Sequence, residues 1–312
     1  MNLMCILYSV VPTYQPAQKS QNKVRLSQVK VFDNNFKRRN MAEEYKSLHP
    51  IKYYRDCLAH DIRPDGRAFD KFRPVLLNIG SIDTTDGSAI AKVGKTTIVC
   101  GIKAELCKPK ADTPNQGFVV PNLELPPLCS PKFRPGPPSD QAQVLTQLIA
   151  DIIENSKCVD PKDLCIYPDK LAWCLFIDFV CLNYDGSLID ACIIALVGAL
   201  HTLTLPSVDY DPSLDNKLVN LEDRKPIPIH STLISTTFVI FDDKIILADP
   251  TVDEENYCTG IVTIVLKGDE LCCVHKPGGS PITEDDLFDC IDKSKLRSPL
   301  IQNLIKTALK QK

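Results

Sequence analysis

Residues Leu188 to Leu203 are apolar at almost every position, with Asp190 and His201 as the only ionisable interruptions. A helix that is apolar all round has no face to offer water and must be covered on every side. This one is too short, and too charged, for a clean membrane span. It is therefore expected to be a core helix, with the rest of the fold laid around it. A second apolar run, Leu171 to Leu182, is broken only by Asp178, and Gly186 supplies the turn between the two.

The flanking segments read as strands and turns. Glu43 to Leu58 is a short helical lead-in interrupted at Pro50, and Arg63-Pro64-Asp65-Gly66-Arg67 is a turn in which proline presets φ and glycine accepts a positive one. Strand-like runs follow at Val75 to Ile79, Ser88 to Val93 and Thr96 to Cys107, with Gly94-Lys95 as a hairpin turn. Prolines crowd residues 108 to 138, which predicts a long irregular loop, and a helix capped by Ser139 then runs through Ile152. Past the core helix, 209 to 228 is polar and proline-punctuated, a connecting segment. Further strands are expected at Leu233 to Phe241, Lys244 to Ala248, Gly260 to Lys267 and Leu271 to His275, with Asp242-Asp243 turning the first pair. The tail from Thr283 reads as helix with a break near Pro299. Strands, helix, strand, helix, then strands and helix again make an α+β pattern. At 312 residues and 44% hydrophobic content, the core suffices for one large or two modest domains.

Charge and cysteines narrow the class. Residues 1–40 hold seven basic side chains (Lys19, Lys23, Arg25, Lys30, Lys37, Arg38, Arg39) against Asp33, although the whole chain carries -3. The remainder is therefore acidic, and an acidic body offers phosphates few cations, so any nucleic-acid contact has to be local or shared with partners. The opening MNLMCILYSVVP lacks the basic flank and cleavage site of a signal peptide. Residues 1–40 are expected to be a disordered extension, with Met41 as the natural start. The fourteen cysteines are scattered through apolar runs with no C-x-x-C pair, and none of the five histidines stands at ligand spacing from a cysteine pair. Reduced, buried thiols in cytosol or nucleus are expected, with no metal and no cofactor.

Several motifs invite sharper readings that their context does not support. Gly94-Lys95-Thr96 would need a glycine at position 89 to be a P-loop, and Ala89 stands there. Asp249, Asp253, Glu254 and Glu255 could hold a divalent cation, but between two strands a solvated connection is the expected reading. His275, in HKPGG, reads as strand-end packing, and no serine has the context of a hydrolase nucleophile.

Taken in order, RPDGR with Arg73, NIGSIDTTDGSAIAKVGKTTIVCGIKAE, LPPLCSPKFRPGPPSDQAQVLTQLIADIIENS, IDFVCLNYDGSLIDACIIALVGAL and ILADPTVDEE followed by HKPGG resemble the ribonuclease PH family from about Glu43 to Ile291. NYDGSLIDA and LADPT are similar to its non-catalytic branch of exosome ring subunits. The resemblance implies a ribonuclease PH-like (ribosomal protein S5 domain 2-like) α+β fold with a smaller C-terminal subdomain, divided as 41–208 and 229–312. It also implies partners: other ribonuclease PH-type subunits in a hetero-hexameric ring, S1/KH-type cap subunits, and RNA threaded through the ring.

Phosphorolysis needs cations to hold RNA and phosphate together and an acid to serve the leaving oxygen. By the resemblance, active relatives carry basic residues where this chain has Pro138, Ser139 and Asp140, and arginines where it has Asp151 and Glu154. They place a phosphate-gripping arginine where Ile189 stands, and a catalytic aspartate near Thr259 or Gly260. No catalytic residue is expected here. Lys132 and Arg134 are the candidates for RNA contact. The rival readings are an active phosphorolytic exoribonuclease, which needs the missing cations, and a free-standing RNA-binding protein, which the acidic body disfavours.

Overall fold

The computed structural model describes residues 43–211 and 216–310, in two units that meet after Gly66. Residues 1–40, expected as an extension, and Met41, expected as the natural start, lie outside the described residues.

In the first unit, residues 43–48 are helical and helix α1 (Pro50–Leu58) begins afresh at the proline. Proline is well suited to a first helical turn, where its missing N–H has no partner to lose. The Gly66 N–H then donates to the Arg63 carbonyl at 2.8 Å, and Gly66 has φ +81°.

The second unit contains two large sheets. Strands β1 (Val75–Ile79), β2 (Gly87–Val93) and β3 (Thr96–Cys107) form an antiparallel meander. Next come β4 (Phe118–Glu124), helix α2 (Asp140–Ser156), β5 (Cys165–Tyr167) and β6 (Leu171–Asn183), which complete a sheet of order β1-β2-β3-β6-β4 with β5 also on β6. The long loop expected over 108–138 thus contains a strand. Pro121 hid it: proline cannot donate to a ladder, yet it is tolerated at a sheet edge, and β4 is an edge strand parallel to β6.

The apolar run is helix α3 (Leu188–Thr202), on which every residue but His201 is buried. It packs on β1, β2 and β3 and also on β9 (Leu233–Phe241) of the other sheet, of order β10-β9-β11-β12 with β10 (Ile245–Ala248), β11 (Gly260–Lys267) and β12 (Glu270–His275). Leu233, Ile234 and Val265 of this second sheet share one hydrophobic cluster with the first sheet and α3.

Between α3 and β9, the expected connecting segment is built as a ribbon, β7 (Thr204–Asp211) paired with β8 (Asn216–Pro226). Arg224 pins it, donating to Asp86 and to the Thr204 carbonyl. The ribbon's alternation is masked in sequence because β8 lies exposed along most of its length and so keeps its charges.

Asp242 and Asp243 turn β9 into β10 with φ of 47° and 61°. A short helix, α4 (Val252–Tyr257), precedes β11, and helix α5 (Glu284–Lys310) closes the chain without the expected break at Pro299. A mid-helix proline costs about 3 kcal/mol. Here the helix is buried on both sides of it, through Cys290, Ile291, Ser294 and Arg297 before and Ile301 and Ile305 after, so packing overrides propensity.

The thirteen described cysteines are all free; seven of them are buried and six partly so. Among the described residues no helix is long and apolar enough to cross a membrane, and no group of His, Cys, Asp or Glu is placed to hold a metal ion.

Candidate functional site at the start of the apolar helix

The turn that leads into α3 is Tyr184-Asp185-Gly186-Ser187, and it is held from three directions. From β3, Thr96 Oγ1 donates to the Gly186 carbonyl at 2.7 Å and accepts the Asp185 N–H at 3.1 Å. From the segment before α4, the Pro250 carbonyl accepts the Ser187 hydroxyl at 3.2 Å. Gly186 has φ +77°, and a Cβ there would stand 2.4 Å from the Pro250 oxygen. Only glycine allows the two backbones to come this close.

The third support is Arg73, just before β1. Its guanidinium and backbone N–H grip the Asp249 carboxylate, with Nη2 to Oδ1 at 2.7 Å, Nε to Oδ2 at 3.0 Å and the N–H to Oδ2 at 2.6 Å, while Nη2 also donates to the Pro250 carbonyl at 3.1 Å. Arg67 adds a second guanidinium, 3.3 Å from Asp249 Oδ2. Gly94 turns the β2–β3 hairpin with φ +59°, and its missing Cβ leaves room for the Arg73 stem, 2.4 Å from where that atom would stand. The glycine of the tempting Gly94-Lys95-Thr96 motif thus has a packing role. Burial opposes the charge of Asp249, but the Arg73 hydrogen bonds and charge overcome it and lower its pKa to about 2.

The acidic segment is therefore no solvated connection, as its sequence had led us to expect. Asp249 and Glu254 are buried, and Thr251 and Glu254 form a reciprocal capping box at the start of α4. Glu255 reaches across to the turn, where its carboxylate accepts the Tyr184 hydroxyl at 2.7 Å and the Ser187 N–H at 2.6 Å. A carboxylate thus sits at the N-terminal end of α3, where backbone N–H groups and the helix dipole favour an anion.

Burial pushes Glu255 up to about 7 from an ordinary 4.5, and these hydrogen bonds, with Arg73, offset it only in part. The folded chain then holds a proton that the unfolded chain releases earlier. The stabilisation is complete below pH 4.5 and fades as pH rises through about 7. We expect a loss of ~2 kcal/mol from this group between pH 5 and 8. Glu255→Gln, which removes the titrating group while its Oε1 still accepts the Ser187 N–H, should flatten that limb in denaturant titrations; an unchanged slope would assign it elsewhere.

The positions singled out from sequence are spread over several elements. Ser139 caps α2, its hydroxyl accepting the Ala142 N–H at 3.3 Å, and Asp140 is exposed in the first turn. Gln141, next to them, hydrogen-bonds Tyr184 and also accepts Lys132 Nζ at 3.2 Å. Ile189 lies on α3 just past the turn, 5% exposed and part of the core. Thr259 donates its N–H and its hydroxyl to the Ile240 carbonyl, and buried Gly260 bridges to Gly279. Of these positions, Ile189 adjoins the turn.

Asp151 accepts Gln147 Nε2 at 2.8 Å and lies near Cys273 and His275 of β12, and Glu154 borders a cavity beside β4. His275, expected as strand-end packing, is the last residue of β12, and burial lowers its pKa. Lys132 and Arg134 are exposed, and Arg134 borders a cavity of about 300 Å³ walled by the proline-rich loop.

The profile of the 3′ exoribonuclease family, ribonuclease PH, matches residues 71–206 with its first domain and 231–296 with its second. The chain belongs to this family. It is 40% identical over 252 residues to exosome complex component rrp43 of Schizosaccharomyces pombe, covering 80% of this chain and 93% of the relative. It is 32% identical over 254 residues to exosome complex component Rrp42 of Methanothermobacter thermautotrophicus, covering 81% and 93%. Among solved structures, a chain of the Archaeoglobus fulgidus exosome with RNA bound to the active site superposes with a TM-score of 0.73 at 31% identity, covering 81% of this chain and 96% of that one. The ribonuclease PH fold read from the motif order is thus the fold of the protein, with the smaller C-terminal domain in place.

Proposed function

We propose that this chain is a non-catalytic ring subunit of a eukaryotic RNA exosome, forming part of the RNA channel wall and leaving phosphorolysis to other subunits. The observation that carries this reading is the α3 N-terminus. Where active members of the family are expected to hold phosphate, the helix start is occupied by the chain's own Glu255 carboxylate, and the next turn presents Ile189 to the core. An anion arriving there would find the Ser187 N–H already taken by Glu255 and, with Ile189 in the first helical turn, no added cation. Asp140 repels phosphate from the start of α2.

On this reading the partners are other ribonuclease PH-type subunits in a six-membered ring, S1/KH-type caps, and RNA, to which Lys132 and Arg134 offer contacts from the proline-rich loop. The role is support of 3′-to-5′ RNA processing and degradation, including ribosomal RNA maturation and mRNA turnover, in nucleus, nucleolus and cytoplasm. Residues 1–40 act as an extension, ahead of subdomains 41–208 and 229–312.

The test is chemical. Purified chain given single-stranded RNA and inorganic phosphate should release no nucleoside diphosphate, alone or mixed with a neighbouring ribonuclease PH-type subunit that is itself inactive. Release that a Ser187→Pro or Glu255→Ala change in this chain abolishes would establish the active exoribonuclease instead.

A further inference from the structure

The far end of α3 borders a second concavity, of about 390 Å³, within the range of small-ligand sites. It lies between the last turn of α3, the approach to β9, the β11–β12 turn and the last turns of α5. Fourteen residues of helix separate Ser187 from His201, about 20 Å at 1.5 Å per residue, so this cavity is distinct from the turn at the helix start.

Its chemistry differs from that of the acidic body around it. Lys267 and Lys306 line it together with His201 and His230, and no carboxylate does. Asp163, outside the lining, is 2.6 Å from His230 Nε2 and accounts for that imidazole. The two lysines make no ion pair with any described residue. Burial holds His201 toward its neutral form, so the lysines supply the positive charge.

A concave wall of one sign focuses its field on whatever enters. Ile305 and Leu309 give the same cavity an apolar side, and the Gly268 N–H bond to the Thr232 carbonyl, 3.2 Å, ties the β11–β12 turn to the approach of β9. The walls thus combine two lysines with apolar side chains.

We propose that this cavity binds a small phosphorylated ligand of nucleotide size, with its phosphate on Lys267 and Lys306 and its less polar part against Ile305 and Leu309. Inorganic phosphate shares the recognised group but lacks the apolar part, so it binds more weakly. Adenosine, which lacks the phosphate, binds more weakly still.

Titration calorimetry of the full chain with adenosine 5′-monophosphate, inorganic phosphate and adenosine separates the contributions. The nucleotide should bind saturably, tighter than phosphate by tenfold or more and competitively with it, and the affinity should fall as salt is raised. Lys306→Ala, an exposed change that leaves folding intact, should weaken the nucleotide several-fold, and Lys267→Ala with Lys306→Ala at least tenfold. Lys244→Ala, an exposed change at the β9–β10 turn and outside the cavity lining, should leave it unchanged. Absence of saturable nucleotide binding, equal binding by the double variant, or binding confined to RNA oligonucleotides overturns the proposal.

Discussion

Asp249→Ala is expected to destabilise the protein by about 3–5 kcal/mol, because it leaves the Arg73 guanidinium in the interior without its main carboxylate partner and with only the longer 3.5 Å contact to Asp185 as counter-charge. Asp249 is fully buried and Arg73 is 8% exposed, so water cannot replace the lost partner. The loss would extend beyond the pair, since Arg73 also ties the turn before α3 to the segment before α4 through the Asp185 and Pro250 carbonyls. Asp249→Asn, which keeps the shape and loses the charge, should recover less than half of the effect. Urea unfolding monitored by the single tryptophan, Trp173, gives the measurement. The ion pair also has a pH signature. With a folded pKa near 2 against an ordinary 3.8, its contribution is present above pH 3.8 and is lost as pH falls through 2. The wild type should therefore show an acid limb of about 2 kcal/mol that Asp249→Asn lacks. A mild loss below 1 kcal/mol would mean that water reaches Arg73 in the variant.

Arg297→Met should cost about 3 kcal/mol, toward the lower end for a broken buried pair. Arg297, on α5, is 2% exposed and donates to Asp190 Oδ2 at 2.9 Å, with Asp190 wholly buried in the first turn of α3. The effect stays at the lower end because Asp190 would keep the Thr237 N–H at 3.1 Å and the Thr237 hydroxyl at 2.9 Å. Arg297 Nε and Nη2 find no hydrogen bond, and the guanidinium lies 4.5 Å from the Phe72 ring centroid, a cation–π contact that methionine replaces in part. Asp190→Asn combined with Arg297→Met should be more stable than Arg297→Met alone, because the second change removes the stranded charge. A double-mutant cycle by thermal unfolding reads the coupling, and additive losses would show that the two groups do not interact.

Much of this fold was legible in the sequence because its strands and core helix follow simple periods. The β1–β3 meander, the run into β6, α3 and the C-terminal strands stand close to where apolar pattern and turn residues put them. What failed did so for identifiable reasons. Pro121 and the loop composition around it hid β4, charge hid β8, and Pro299 suggested a break that packing on both of its sides prevents. The candidate site was legible only in part. Ile189 and the absent basic residues could be read in line, but the Asp249 and Glu255 contacts span 176 and 68 residues of chain, to Arg73 and Ser187, and leave no local signature. In sequence, buried partners of arginine and of a helix start look the same as a solvated acidic loop.

The sharing of α3 between two sheets sets how the protein comes apart. The two matched family segments look divisible in sequence, yet α3 belongs to the first and packs on β9 of the second, and one cluster runs from Ile79 through the helix to Val265 and Ile305. Removing the C-terminal segment would leave apolar helix surface facing water, with about 25 cal/mol lost for each Å² exposed. The N-terminal segment therefore shares its interior with the C-terminal one, which also keeps a second cluster of its own around Phe238, Val262, Ile264 and Cys290. A fragment ending at the β7–β8 ribbon should therefore behave as an aggregating chain and not as a domain.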